Sequence, residues 1–517
     1  MTGTVRLRSR QRLGALGPRG RSLLGVSIAV ALLVVVNGLV RETSPPGGGG
    51  QFVGSPPLPV VQISRPGAWR CPGPLPVGAG KASSRVAIVN GTAFDVAVTV
   101  SVSRTNLPTG GISRANSVTY SRLEVDRHSQ AVLALAKTGP AGFAAVSVES
   151  DGGGIGVAES IRGLSSRGGA IVVSSPCSLG SAPRGYIPPG STYGSSDVRL
   201  SLYDPDATPA VVDVSVSDGT GLSSPPAFQG VVVPAKGLVV LDLRRWVFQV
   251  SSLALTATAV SGDVVIGALE TTAATVATRS GAGGAEKTTH LGLTGVSLLV
   301  GPDRALARWS FTALQSRTGV TSMFSVYDPG TKPLSVSVAP PGRSGRVAAL
   351  TEDVPAGGIV EFETPITPGT RLGARSVVVS STQGAPIVVA RITARQQGPD
   401  LEAVDVTAGT GGPSKRWLLP GAVVTAKIGD SLTLVDPGSE VASVSLAELP
   451  ELPAVPVSFA TVTVYPGTER DINLGRIMHN VAGFALEISS SAPVLVEEQF
   501  TPSHGQTTAL GAIPISP

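Results

Sequence analysis

Few side chains in this 517-residue sequence stand where they could do chemistry. Its only cysteines, Cys71 and Cys177, flank a single run of alternating strands. In an exported chain such a lone pair reads as a disulfide closing a long loop, since a metal or redox motif needs closer spacing and more ligands. The other reading is two buried free thiols. His128, His290, His479 and His504 are scattered, with no HxxxH or HExxH spacing. No GxSxG elbow, Walker loop or dinucleotide fingerprint occurs between a strand and a helix. The glycine runs at 152–154 and 281–284 precede no helix whose N-terminus would hold a phosphate. No catalytic, cofactor-binding or metal-binding residue is therefore expected.

The remaining candidates recur. An alternating strand, an Asp-Pro or Asn-Gly turn and a second alternating strand appear four times, with turn residues Asn90, Asp204, Asp328 and Asp436. Asp or Asn bonds its own downstream backbone and Pro presets the next φ, so the motif is a hairpin or corner. One aspartate per unit is far short of the several oxygens a calcium site needs. Asn90-Gly91-Thr92 also matches a glycosylation sequon, which is incidental to the turn. Later in each unit a strand ends on a charged residue: Glu159, Glu270, Arg391 and Glu498. A catalytic carboxylate would not become arginine in one copy, so these read as edge or strand-end charges that discourage sheet-to-sheet pairing. An aromatic precedes the turn by 18 or 19 residues in three units, namely Tyr186, Trp309 and Trp417. It reads as a packing anchor covering one end of the unit, with ligand binding as the lesser alternative.

The elements that carry these residues are strands. Val86 and Ile88, Leu200 and Leu202, Phe324 and Val326, and Leu432 and Leu434 occupy every second position before the turn. Val96, Val98 and Val100 and their counterparts do so after it. With 64 Gly and 42 Pro, 42% apolar and 4% aromatic residues, the expectation is all-β: tandem immunoglobulin-like β-sandwich units of six or seven short strands, preceded by one transmembrane α-helix. A four-bladed propeller is the weaker alternative, since a blade is about half this size.

The domain reading is a basic cytoplasmic tail (1–22), a transmembrane helix (23–40), a Pro/Gly-rich stalk (41–68), unit 1 (69–177) and unit 2 (178–273). A linker (274–307), unit 3 (308–398), a linker (399–415), unit 4 (416–501) and a tail (502–517) follow. Arg6, Arg8, Arg10, Arg12, Arg19 and Arg21 account for the net charge of +5, leaving +5 − 6 = −1 for the rest. A near-neutral outer part has no footprint for nucleic acid. Eighteen mostly apolar residues behind those arginines fit an uncleaved anchor with its N-terminus in the cytoplasm, a cleaved signal peptide being the alternative.

On Asp204-Pro205, Asp328-Pro329-Gly330, Asp436-Pro437-Gly438 and the Trp417–Pro420 opening, the chain resembles a family of actinobacterial membrane-anchored secreted proteins of unknown function with repeated β units. Unit 1 departs from the pattern, with Asn90-Gly91 at the turn and no aromatic-x-x-Pro opening. The resemblance implies a cell-envelope setting and supplies no activity. The functional expectation is a non-catalytic, membrane-anchored, extracytoplasmic scaffold or interaction protein, with envelope proteins or glycans as partners. The alternatives are an envelope glycan-binding array, weakened by the shortage of aromatics beyond Trp69, Trp246, Trp309, Trp417 and a few tyrosines, and a hydrolase or transferase for which no nucleophile–base pair can be named.

Overall fold

The computed structural model describes residues 61–516 apart from 63–64 and a set of connections between strands, the longest being 313–319, 342–349 and 364–375. The tail 1–22, the apolar span 23–40 and most of the stalk lie outside the described residues. Among those described, the regular elements are strands and three single-turn 3-10 helices (Pro226–Phe228, Leu243–Arg245, Leu474–Arg476), and no helix is long and apolar enough to cross a membrane. The described residues are all-β, as the alternation predicts.

Each repeat contributes two antiparallel sheets, and the strand order recurs four times. In the first repeat one sheet runs Ala68–Val77, Gly142–Ser150, Val96–Asn106, Ile112–Val125, and the other runs Ser129–Ala134, Ser83–Asn90, Ile155–Leu164, Ala170–Pro176. Four strands of each repeat matter below. The opening strand holds the aromatic (Ala68–Val77, Arg184–Gly190, Arg308–Phe311, Ser414–Val423). The entry strand leads to the turn (Ser83–Asn90, Asp197–Tyr203, Val320–Tyr327, Ile428–Val435). The charged strand (Ile155–Leu164, Val265–Arg279, Val388–Gln397 and the second half of Ala482–Pro502) pairs with it. The inner strand pairs with the far edge of the charged strand (Ala170–Pro176, Glu286–Val300, Asp400–Ala408, Thr508–Gly511). Among the described residues each repeat thus has eight strand positions rather than six or seven strands, one position of the second repeat being split between Leu222–Ser223 and Val231–Val233. The strands before and after the turn do not pair with each other and lie in different sheets, in the fourth repeat against different halves of the continuous strand Ala482–Pro502, so the turn is a corner and not a hairpin.

The extra strands come from segments whose sequence reads as loop. Residues 274–307, expected as a linker, carry the end of one long strand and all of Glu286–Val300. The expected linker 399–415 holds Asp400–Ala408, and the expected tail 502–517 holds Thr508–Gly511 and Ile513–Ser516. Their Gly, Ala and Thr content weakens the alternation that marks a strand. Backbone pairing with an already formed strand supplies what their side chains do not.

Residues 54–517 form one compact unit. The inner strands touch in a closed circuit, first against second, second against third, third against fourth and fourth against first. Val239 of the second repeat pairs with Arg114 of the first, merging two sheets into one of nine strands. Val61–Gln62, expected within the stalk, pairs in parallel with Ile515–Ser516 and so ties the beginning of the body to its end. The cores are built from Val, Leu, Ile and Ala with Trp69, Trp309 and Trp417 among the largest buried side chains.

Candidate functional site

The recurring charged residues are not at edges. Glu159, Glu270, Arg391 and Glu498 are all buried, Glu159 and Glu498 completely at 0% exposure. In the first repeat Glu159 alternates in phase with Val157 and Ile161, which belong to the core, and pairs with the core residue Val86. Glu270 pairs with Val198, Arg391 with Phe324 and Glu498 with Leu432, each partner being a core side chain. The edge reading fails because the charged strand has a neighbour on both sides, the second being the inner strand, which in the last three repeats falls on a segment that reads as linker or tail.

From this interior position each repeat meets the other sheet at the same place. Gly73 N donates to Glu159 Oε2 at 3.1 Å, and Ser191 N donates to Glu270 Oε1 at 3.1 Å. Arg391 Nη1 donates to Thr312 O at 2.5 Å. In the fourth repeat Val423 N donates to Asp430 Oδ2 at 3.2 Å, and Asp430 lies beside Glu498. All four backbone groups sit just past the opening aromatic. There the strand loses register with its neighbour, between Cys71 and Leu75, Ile187 and Gly190, and Leu419 and Ala422. Prolines 72, 188 and 420 fall in these breaks and cannot donate to a ladder. A buried backbone group left without a ladder partner costs about 1–3 kcal/mol unless a side chain replaces it. In the first three repeats the charged-strand residue is that replacement, and in the fourth it is Asp430 of the entry strand, beside Glu498. Where the orphan is an N–H the repeat uses an acid, and where it is a carbonyl the repeat uses arginine.

Burial sets the charge state. It pushes the Glu159 and Glu270 carboxyls up to about 8, with the single N–H from Gly73 or Ser191 opposing it only in part. Asp430 is pushed up to about 7 by burial, and Glu498 well above the usual carboxylate range by burial and by the neighbouring Asp430, with the Arg162 guanidinium opposing. Near neutrality Glu159 and Glu270 are mostly carboxylic acids.

The arginine of the third repeat stays charged and is paired across a boundary. Arg391 Nη2 reaches Glu497 Oε1 of the fourth repeat at 2.6 Å, and Glu497 Oε2 accepts from Thr312 N and Oγ1, both at 3.0 Å. The ion pair is as buried as its surroundings, with side-chain exposures of 2% and 6%. Other boundaries use hydroxyls: Tyr203 Oη with Ser147 Oγ at 2.6 Å, and Tyr327 Oη with Thr256 Oγ1 at 2.9 Å. Between the fourth and first repeats, Gln130 N donates to Pro450 O, Gly421 N to Gln130 Oε1, and Arg162 Nη2 to Gly421 O.

The turn residues are separate from one another and act locally. Asn90, Asp204, Asp328 and Asp436 each accept the N–H two residues on, from Thr92, Asp206, Gly330 and Gly438 at 2.7–2.9 Å. Asn90 also donates Nδ2 to Phe94 O and Val125 O, so both ends of its amide are engaged. Burial pushes Asp204 up to about 6 and raises Asp328 and Asp436. Cys71 and Cys177 form a disulfide with Cα atoms 4.6 Å apart.

The aromatics divide. Trp309 Nε1 donates to Ile387 O, and Trp417 Nε1 to Val494 O, each inside its own repeat's core. Tyr186 instead packs with Tyr327, Ile359 and Val388 where the second and third repeats meet. The first repeat does have an aromatic-x-x-Pro opening: Trp69-Arg70-Cys71-Pro72 lies in the opening strand, with Trp69 buried. It stands 90 − 69 = 21 residues before the turn, outside the 18–19 window that hid it. These tryptophans are not faces for a sugar. The exposed rings among the described residues are others, Phe94, Tyr120 and Tyr465 and, near each other in the second repeat, Tyr193 and Phe248 at 61% and 64% exposure. Their segments are tied together by Arg244 Nη2 donating to Gly194 O and Gly194 N donating to Gln249 Oε1, and the Arg244 guanidinium lies 6.0 Å from the Phe248 ring centroid.

No protein-family profile matches the chain, and no curated protein matches it. Among solved structures, a tetra-tandem repeat from the extending region of a large adhesion protein is 11% identical over 82% of this chain and 93% of that one, with a TM-score of 0.09. At that score the likeness carries no argument about fold or function.

Proposed function

We propose that the chain is a non-catalytic scaffold or interaction protein of the cell envelope, its immunoglobulin-like units held outside the membrane by the N-terminal apolar span. One observation carries this reading: the recurring polar positions face inward and hold the body together. Glu159, Glu270 and Arg391 of the charged strands, and in the fourth repeat Asp430 of the entry strand beside Glu498, satisfy backbone groups, and the turn residues satisfy their own corners. Repeats built this way offer a large rigid surface. The anchor at 23–40, the cytoplasmic tail and the actinobacterial setting rest on the sequence alone. Crosslinking the outer part in living cells should capture the same few envelope components reproducibly, and deletion should alter envelope integrity or a partner's position. Absence of both would overturn the reading.

A second reading, envelope glycan binding, draws on the exposed Tyr193 and Phe248 rings with Arg244 and the Gln249 amide beside them. Flat faces bordered by hydrogen-bonding groups suit a sugar ring. Titration calorimetry with envelope polysaccharide should then give binding that Tyr193→Ala and Phe248→Ala weaken together. Heatless titrations would remove this reading and leave the scaffold reading standing.

A further inference from the structure

The acid of the first repeat has neighbours that the acid of the second lacks. Glu159 and Glu270 hold equivalent places and cap equivalent N–H groups. Only Glu159 has two sulfurs beside it: one ligand atom each from Cys71, Glu159 and Cys177 lie within 4.8 Å of one another, and all three residues are fully buried. The second carboxylate oxygen, Glu159 Oε1, has no hydrogen-bond partner. The fold does not require this set, because the second repeat builds the same strands around Glu270 without cysteines.

We propose that Cys71, Cys177 and Glu159 bind a thiophilic divalent cation of the zinc class when the Cys71–Cys177 bond is reduced, disulfide and cation being alternative occupants of one place in the core. Zinc takes thiolate at about 2.3 Å and carboxylate at about 2.0–2.2 Å in tetrahedral array, so its ligand atoms sit roughly 3.5–3.8 Å apart. The set reaches that spacing by side-chain rotation once the sulfurs part. Gly73 N, holding Oε2, orients the carboxylate from behind and leaves Oε1 to face the metal. Three protein ligands leave a fourth position for a neutral donor such as water.

The steps balance. A dithiol reductant gives two electrons and two protons to the disulfide and becomes a cyclic disulfide itself. The cation then displaces a proton from each thiol and, below the carboxyl's own titration, one from Glu159, so binding tightens as pH rises. The consequence is structural: either occupant ties residue 71 to residue 177 and closes the same loop around the first repeat.

The test uses the full chain, reduced with a dithiol in denaturant and refolded without oxygen after the reductant is removed. Cobalt(II) serves as the visible stand-in for zinc. One cobalt per chain should bind with a thiolate-to-cobalt charge-transfer band, zinc should displace it, and the oxidised chain should give no band. Glu159→Gln should keep the band and lose at least tenfold in affinity. Should that variant fail to fold, the wild-type chain still decides: zinc should slow alkylation of Cys71 and Cys177 at least tenfold. A reduced, folded chain with no band at millimolar cobalt, or alkylation indifferent to zinc, would overturn the proposal. Unchanged affinity in a folded Glu159→Gln variant would overturn it as well.

Discussion

The first and third repeats solve one structural problem with opposite charges. The first breaks its opening strand just past the aromatic and the third ends it there, at Phe311, and both are met at that point by the charged strand of the facing sheet. The first uses Glu159, which accepts an N–H and keeps its proton near neutrality; the third uses Arg391, which donates to a carbonyl and keeps its charge. A carboxylic acid can be neutral, so Glu159 stands with no cationic partner inside one repeat. A guanidinium cannot, so Arg391 needs an anion, and Glu497 of the next repeat provides it. The same position is thus an internal cap in one repeat and a joint between repeats in the other.

The largest effect should come from breaking the joint. Arg391→Leu leaves Glu497 buried without its cation and should cost about 3–5 kcal/mol in denaturant unfolding, whereas Arg391→Leu with Glu497→Leu should recover most of that loss. Equal damage from the pair and the single change would mean that the ion pair is not the relevant contact. Next comes the first repeat's tie: Cys71→Ser with Cys177→Ser should lower stability by about 2–5 kcal/mol, for a loop of 106 residues. At pH 5, Glu270→Gln should change stability by less than about 1 kcal/mol, because a neutral acid is replaced by a neutral amide whose oxygen still accepts from Ser191 N. The smallest effect belongs to the corners. Asp328→Asn keeps the oxygen that Gly330 N needs and should shift stability by under about 0.5 kcal/mol, against about 1 kcal/mol for Asp328→Ala.

The contrast also marks what local sequence can reveal. Period-two alternation at Val86 and Ile88 or at Val96, Val98 and Val100 is a property of neighbours in the chain, so the all-β class was legible. Whether Glu159 faces water or core depends on a strand at 170–176 and on a sheet whose opening strand lies 86 residues away. The same sequence pattern, a charge ending a strand, describes an edge and a capped interior equally well. Val61–Gln62 finds its partner at the other end of the chain, and nothing near either segment announces it. Trp69 was legible in principle, since Trp69-Arg70-Cys71-Pro72 repeats the Trp417–Pro420 spacing. A longer connection to its turn moved it out of register.

That Glu159 and Glu270 are neutral interior caps has a direct consequence for stability against pH. Their folded-state values near 8 lie above the ordinary 4.5, so the folded chain holds two protons that the unfolded chain releases. Their contribution is fully present below about pH 4.5 and is lost as pH rises toward 8. Urea unfolding of the wild type and of the Glu159→Gln, Glu270→Gln double variant, each measured from pH 5.5 to 7.5, tests this. The wild type should lose stability faster than the variant with rising pH, by up to roughly 2.7 kcal/mol per pH unit for two protons. Parallel pH profiles would contradict the account, placing these two side chains in water as ordinary ionised carboxylates.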